Sequence, residues 1–591
     1  MKDNRMNDKE ITLSKEIVRR ETRFAVHLPK TDYREDCHYV KEQIYYSDGT
    51  QEPRCFMVQD YKRPIWCTKN AFRDHRDKKE FEYRDKLHET KCTQSEINRI
   101  VAGMLGEPHI ANQPNEIKDS PYVYGYDQTS TSLIKLQSLR KNNFIQSPYT
   151  VSAFDIETDI ETREILIATI VFNYDVFVTV NKKLVHMYKD VYDRTVAAVQ
   201  KYLPEYSDKL KIKLLVCDDE VEMLKAVFKT ANDWGPDFLA IWNISFDIPR
   251  CLERLKLANV NPIDVICDQN VPRSHRVCRY KEGITKKMTA SGTHKPINPS
   301  LQWHVLTSTS RFYAIDAMCV YRQIRMAKQE EPSYSLDAIL NKVLKRGKLK
   351  FTEADAYKAD KWHIFMQKNY PIEYIVYNIF DCLGMLELDK ITKDLSSSFP
   401  SGAMMTDFAK FNSNPKKIVD ALFLFGLERG QVVGTVGKIK KSEEEAIVET
   451  IQADDLFDDD DGELVEEDTR EERVEDFQGL GLKGWIQLLP QNQLMNEGLK
   501  ILEDFPDVVT NARGMTWDVD ATAAYPTCTM IGNVSKRTCV NEVINIEGIM
   551  PEVFKEQNLG VCLGPVNMLE YGHVMFGLLS MDDVDAILDK E

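Results

Sequence analysis

Residues 442–477 set the first limit on how this chain can fold. The stretch SEEEAIVETIQADDLFDDDDGELVEEDTREERVEDF holds 18 Asp/Glu and 2 Arg, a net charge of −16. Like charge at that density repels itself. The segment also has few aromatic residues, so it reads as a disordered linker. It separates a long folded part before it from a shorter one after it. It carries the entire charge imbalance as well, because the 591-residue chain has a net charge of −16. The remaining residues balance to zero, and overall acidity therefore says nothing against a nucleic-acid partner.

Over the whole chain the composition is that of a globular protein, with 43% hydrophobic and 29% charged residues, and the length allows several cores. No stretch approaches the roughly 18 uncharged apolar residues of a membrane span. The N-terminal MKDNRMNDKEITLSKEIVRR has no apolar run of the secretory kind. Both absences lead to the expectation of a cytosolic protein. The 13 cysteines are scattered, without a C-x-x-C pair or a Cys/His cluster at zinc spacing, and read as free thiols in a reducing compartment.

Residues 1–150 form a polar, mixed first domain with strand-like patches such as RFAVHL and EQIYYS. Its VQDYKRPIWCTKNAFRDHRDKK stretch interleaves aromatic and basic residues. That pattern suits single-stranded nucleic acid as well as it suits a solvated face. Over 151–395, β-rich runs (TVSAFDIET, EILIATIVF, DFLAIWN) alternate with amphipathic helices, the pattern of a mixed α/β fold. In DIPRCLERLKLA, Ile248, Cys251, Leu252 and Leu255 share one helical face. KKMTASGTHKPINPSLQW reads as a loop at a hairpin tip. Residues 396–441 contain the helical NPKKIVDALFLFGLERG, and 478–591 return to folded composition.

Three acidic patterns stand out in the middle domain. Asp155 and Glu157 lie two apart on a strand, so both point to one face and Phe154 and Ile156 to the other. Two carboxylates on an apolar strand are costly unless a cation neutralises them or the strand end opens on solvent. Asp247, in NISFD, follows a strand and precedes a helix. Alone it reads as an N-cap, with Pro249 near the helix start. Tyr377 and Asp381, in YIVYNIFDCLGMLELDK, are four apart on one helical face.

In order and spacing, D-x-E, N-x-x-F-D and Y-x-x-x-D resemble the three motifs of 3′–5′ proofreading exonucleases. With TWDVDATAAYPT at 516–527, the chain is similar to family B DNA polymerases, most of all the replicative enzymes of T-even-like bacteriophages. FYAIDAMCVYRQI, EPSYSLDAIL and GKLKF carry the likeness further. The resemblance covers about 150–441 and 478–545, and is weak over the first 150 residues.

What the resemblance implies is a ribonuclease H-like exonuclease domain over 151–395 and a return to the N-terminal domain over 396–441. A partial polymerase palm would occupy 478–591. Asp155, Glu157, Asp247 and Asp381 would bind two Mg²⁺ or Mn²⁺ ions, whose hard oxygen preference fits carboxylates. Tyr377 would orient the attacking water, Phe246 would pack on the terminal base, and Asn243 would hydrogen-bond near it. In the palm, Asp520 and the Ala521 carbonyl would hold a metal. Ala523, Ala524 and Tyr525 would face the nucleotide, with Tyr525 excluding a ribose 2′-hydroxyl. Asp518 is a rival ligand. Gly484, in LKGWIQLLP, falls on a DNA-contacting motif in which Leu482 replaces an aromatic.

The family's fingers motif and D-T-D hairpin have no counterpart here, and SMDDVDAILDKE reads as a capped helix. The expectation is the N-terminal subunit of a split phage polymerase, working on DNA in the host cytoplasm with a second chain and other replisome proteins. A free-standing exonuclease and a non-catalytic relic are the competing expectations.

Overall fold

The computed structural model describes residues 15–288, 294–326 and 331–435. Two compact units divide the chain, 1–439 and 440–591, and the described residues all belong to the first.

The N-terminal residues build an antiparallel meander of β1 (Ile17–Leu28), β2 (Cys37–Tyr46) and β3 (Gln51–Gln59). The strands β4 (Arg63–Thr68), β5 (Phe81–Tyr83), β6 (Leu87–Cys92) and β7 (Val123–Tyr124) follow, with β4 between β6 and β7. In the aromatic-basic stretch around β4, Arg63, Trp66 and Cys67 are buried, whereas Lys62, Lys69, Phe72 and Arg76 are exposed. The Arg63 guanidinium donates to the carbonyls of Gln128 and Gly125, a structural use of the charge that satisfies buried backbone oxygens.

The middle of the chain forms a six-stranded sheet from β8 (Val151–Thr158), β9 (Ile165–Phe172), β10 (Asp175–Asn181), β11 (Lys211–Cys217), β12 (Phe238–Ile241) and a last strand after two ribbons. The ribbons pair β13 (Cys278–Lys281) with β16 (Val305–Ser308), and β14 (Lys286–Met288) with β15 (His294–Pro296). The last strand is β17 (Tyr313–Asp316), and the sheet order is β11-β10-β9-β8-β12-β17. β8, β9 and β10 are joined antiparallel, whereas β10–β11, β8–β12 and β12–β17 are parallel. This central mixed sheet is consistent with an exonuclease domain of the ribonuclease H-like type.

Alternation along β8 divides its side chains between the two faces. Phe154 and Ile156 enter a core with the helices Glu220–Trp234 and Ile244–Leu257. The opposite face packs under the Pro371–Thr392 helix, which is buried over most of its length. The meander docks on the sheet through Lys41, whose buried ammonium donates to the carbonyls of Gly235 and Pro236 and pairs with Asp237 at 3.0 Å. The segment past 395 runs back to the N-terminal strands, where β18 (Gln431–Val433) pairs antiparallel with β5. Among the described residues no helix is long and apolar enough to cross a membrane.

Candidate active site

The site forms where β8 outruns its neighbour. β12 pairs with β8 only as far as Ala240↔Ala153. Beyond that point the chain leaves the sheet through Asn243, held at φ +70, and enters the Ile244–Leu257 helix. The N–H of Ile156, deprived of a ladder partner, donates instead to Asp247 Oδ1 at 3.2 Å. Asp247 is therefore not an N-cap. It sits inside the first helical turn, reaching back to the strand that carries Asp155 and Glu157. Asp316 fixes this corner, its two carboxylate oxygens accepting the amides of Ile244 (2.9 Å) and Cys319 (3.0 Å).

From the other side, the Pro371–Thr392 helix presents Tyr374, Tyr377, Asn378 and Asp381 at i, i+3, i+4 and i+7, one continuous face. Asn378 Nδ2 donates to Asp155 Oδ2 at 2.6 Å, and Tyr374 Oη donates to Glu157 Oε2. His363 Nδ1 and Gln367 Nε2 hold the Tyr374 hydroxyl from behind, at 2.8 and 3.4 Å. Lys348 Nζ donates to Asp381 Oδ2 at 2.6 Å and to the Tyr377 hydroxyl at 3.0 Å.

The loop carrying Lys348 is pinned by its own amide, which donates to Asp337 Oδ1 at 2.7 Å. It passes so close that a Cβ at Gly347 would lie 2.4 Å from the same oxygen. Glycine is what lets the backbone approach that carboxylate.

Asp155, Glu157 and Asp381 each offer a carboxylate oxygen, all within 4.8 Å of one another. Asp247 stands outside that trio but close enough for its charge to act on Asp155. Burial, then the charges of Asp247, Asp381 and Glu157, push Asp155 well above the usual carboxylate range. Burial raises Glu157 to about 7, and raises Asp247 and Asp381 as well, with Lys348 pulling Asp381 back down. Asp381 Oδ1 is buried without a hydrogen-bond partner. Converging buried carboxylates of this kind fit a hard divalent cation, which favours their charged form.

A stability test follows. Groups with raised folded pKa hold protons more tightly in the folded state, so their favourable contribution is complete below the unfolded value and lost as pH rises through the folded one. The metal-free chain should therefore lose stability as pH climbs from the ordinary glutamate range to about 7. Urea unfolding across that interval should show the fall, and saturating Mg²⁺ should flatten it. An unchanged midpoint in metal-free buffer would mean that the acids are solvated rather than buried together.

The structure thus brings Asp155, Glu157, Asp247, Tyr377 and Asp381 to one place. Asn243 forms the strained corner and accepts a hydrogen bond from Ser245 Oγ at 2.7 Å. Phe246, in the same turn as Asp247, leaves its ring exposed. The palm candidates Gly484, Asp518, Asp520, Ala521, Ala523, Ala524 and Tyr525 lie outside the described residues, as do the acidic linker and the helix expected from Ser580. Sequence reasoning missed Lys348, Tyr374, Asn378, His363 and Gln367. The helical period through Tyr377 and Asp381 could have found Tyr374 and Asn378, whereas Lys348 sits on a loop with no periodic signal.

No curated protein matches the chain. Residues 106–339 match the family model of the DNA polymerase family B exonuclease domain, a span that holds Asp155, Glu157, Asn243, Phe246 and Asp247 and stops short of Lys348 and Asp381.

Proposed function

We propose that this chain is a 3′–5′ exonuclease that removes the terminal nucleotide of DNA, as the proofreading part of a family B polymerase of the T-even-like phage kind. The observation that carries the reading is the convergence of Asp155 and Glu157, on a strand inside the family-matched exonuclease span, with Asp381 of the following Pro371–Thr392 helix, within 4.8 Å. Asp155, Glu157, Asp247 and Asp381 would hold two divalent ions, Mg²⁺ or Mn²⁺. Such ions supply a nucleophile from water at neutral pH and stabilise the leaving 3′-oxygen of an in-line displacement.

The chain's own groups do the positioning. Tyr374 and Asn378 fix the carboxylates of Glu157 and Asp155. Lys348 holds the Tyr377 phenol where it can accept or donate a hydrogen bond to an attacking water. The exposed Phe246 ring offers a stacking surface to a terminal base, worth about 1–3 kcal/mol per base.

Polymerisation is a further proposal. Asp520 would be one palm ligand and Tyr525 the sugar gate, with the second carboxylate that nucleotidyl transfer needs supplied by another polypeptide or by further sequence. Partners would be DNA, that second part and other replisome proteins, in the cytoplasm of a phage host.

The test uses a 5′-labelled single strand and a labelled primer-template with Mg²⁺. The expected result is stepwise shortening from the 3′ end with release of mononucleotides, and no extension on adding deoxynucleotides. Extension by the chain alone would overturn the half-site reading. Intact DNA under all conditions would overturn the exonuclease.

A further inference from the structure

A second cluster of metal-ligating side chains lies in the N-terminal meander, away from the acids described above. His27 on β1 and His38 on β2 are direct cross-strand partners, so their side chains share a sheet face. Asp36 precedes His38 by two positions and falls on that face as well. Register, not sequence spacing, creates the group. The two imidazole nitrogens and a carboxylate oxygen lie within 4.8 Å of one another. Asp36 and His38 are buried, at 2% and 0% exposure.

Two polar atoms here have no protein partner. His38 Nε2 is 2.6 Å from Ser130 Oγ, while His38 Nδ1, buried, has no hydrogen bond. Asp36 Oδ2 is taken by His27 Nε2 (2.9 Å) and the Ser95 amide (3.0 Å), while Asp36 Oδ1 has none. A buried acceptor without a donor is costly, and two in one cluster call for a common occupant. The Ser130 contact resembles the outer hydrogen bond that commonly fixes the tautomer of a ligating histidine. The half-buried His27 also lines a cavity of about 700 Å³ with Tyr126, Thr129, Lys135 and Asp407, a route by which an ion could enter.

We propose that His27, Asp36 and His38 form a site for a divalent transition metal, Zn²⁺ by donor set, with a fourth coordination position left for solvent or ligand. Two imidazoles and one carboxylate match the three-ligand open zinc arrangement. The proposal does not depend on the exonuclease assignment.

The test starts from the full chain carrying Asp155→Asn and Asp381→Asn, which silences the acidic trio. After chelation, Co²⁺ titration should give a visible ligand-field band of tetrahedral type that saturates at one equivalent and is displaced by Zn²⁺. Adding His27→Ala should weaken binding by more than the roughly 10–100-fold typical of an outer-shell partner, with circular dichroism unchanged. No saturable band, or a band that survives His27→Ala, would overturn the site. X-ray absorption of the Zn²⁺-loaded silenced chain needs no further variant. It should show two imidazoles and no sulfur, and sulfur donors would assign the metal to cysteines and sink the proposal.

Discussion

Asp381→Ala should abolish nuclease turnover, by on the order of 10³-fold or more, since groups that act as one unit fail together. Asp381 is the residue through which the two halves of the site meet. Its carboxylate belongs to the trio within 4.8 Å and accepts from Lys348. Its loss removes a donor for the cation and leaves the Lys348 ammonium half paired. The substitution should leave single-stranded DNA binding within a few-fold, because Phe246 and the surrounding surface are untouched. Asp381→Asn separates charge from shape. It keeps the size of the side chain and removes one of the charges that, after burial and together with Asp247, hold Asp155 well above its ordinary pKa. Because it also leaves the Lys348 ammonium without its carboxylate partner, the metal-free fold should not gain stability, and activity should still disappear. Gel-resolved single-turnover digestion, paired with urea unfolding, reads both outcomes. Retained turnover in either variant would remove Asp381 from the chemistry.

The family match supports an exonuclease of the family B polymerase kind, and the residues that suggested it were short-range patterns. D-x-E shows its shared face through the two-residue period of a strand, and Tyr377 and Asp381 show theirs through the turn of a helix. What escaped was whatever depends on register between distant segments. Asp247 reads as a cap in sequence, because nothing local says that β12 stops at Ile241 and leaves the Ile156 amide in need of an acceptor. His27 and His38 are eleven positions apart and carry no zinc spacing, yet the β1–β2 pairing sets them opposite each other. Arg63 sits in a stretch that looks basic and open, but its guanidinium is consumed by two backbone carbonyls. Charge counted along a chain does not reveal whether that charge is already paired inside.

Lys348→Met is the substitution that distinguishes positioning from mere packing. The Lys348 ammonium is held well above its usual pKa because Asp381, Tyr377 and Asp155 together outweigh the burial that opposes its charge. It is therefore a permanent cation among the acids. Breaking a buried pair by removing one partner typically costs about 3–5 kcal/mol. With the Lys348 side chain still partly exposed, the metal-free chain should lose somewhat less, about 2–3 kcal/mol, at pH above the carboxylate range. The loss should shrink in acid, where Asp381 can take a proton instead. Mg²⁺ should restore much of this stability, since a divalent ion also neutralises Asp381, and half-saturation should move to lower Mg²⁺ because a competing cation has gone. Turnover should not recover with it. The Tyr377 hydroxyl loses the donor that fixes its orientation, and kcat at saturating Mg²⁺ should stay about 10²-fold down, the size of effect seen when one pre-oriented polar group is lost from a site. Lys348→Arg should rescue stability better than rate, because a planar fork does not place its charge where an ammonium did. Full turnover at saturating Mg²⁺ in Lys348→Met would reduce Lys348 to a structural counter-ion.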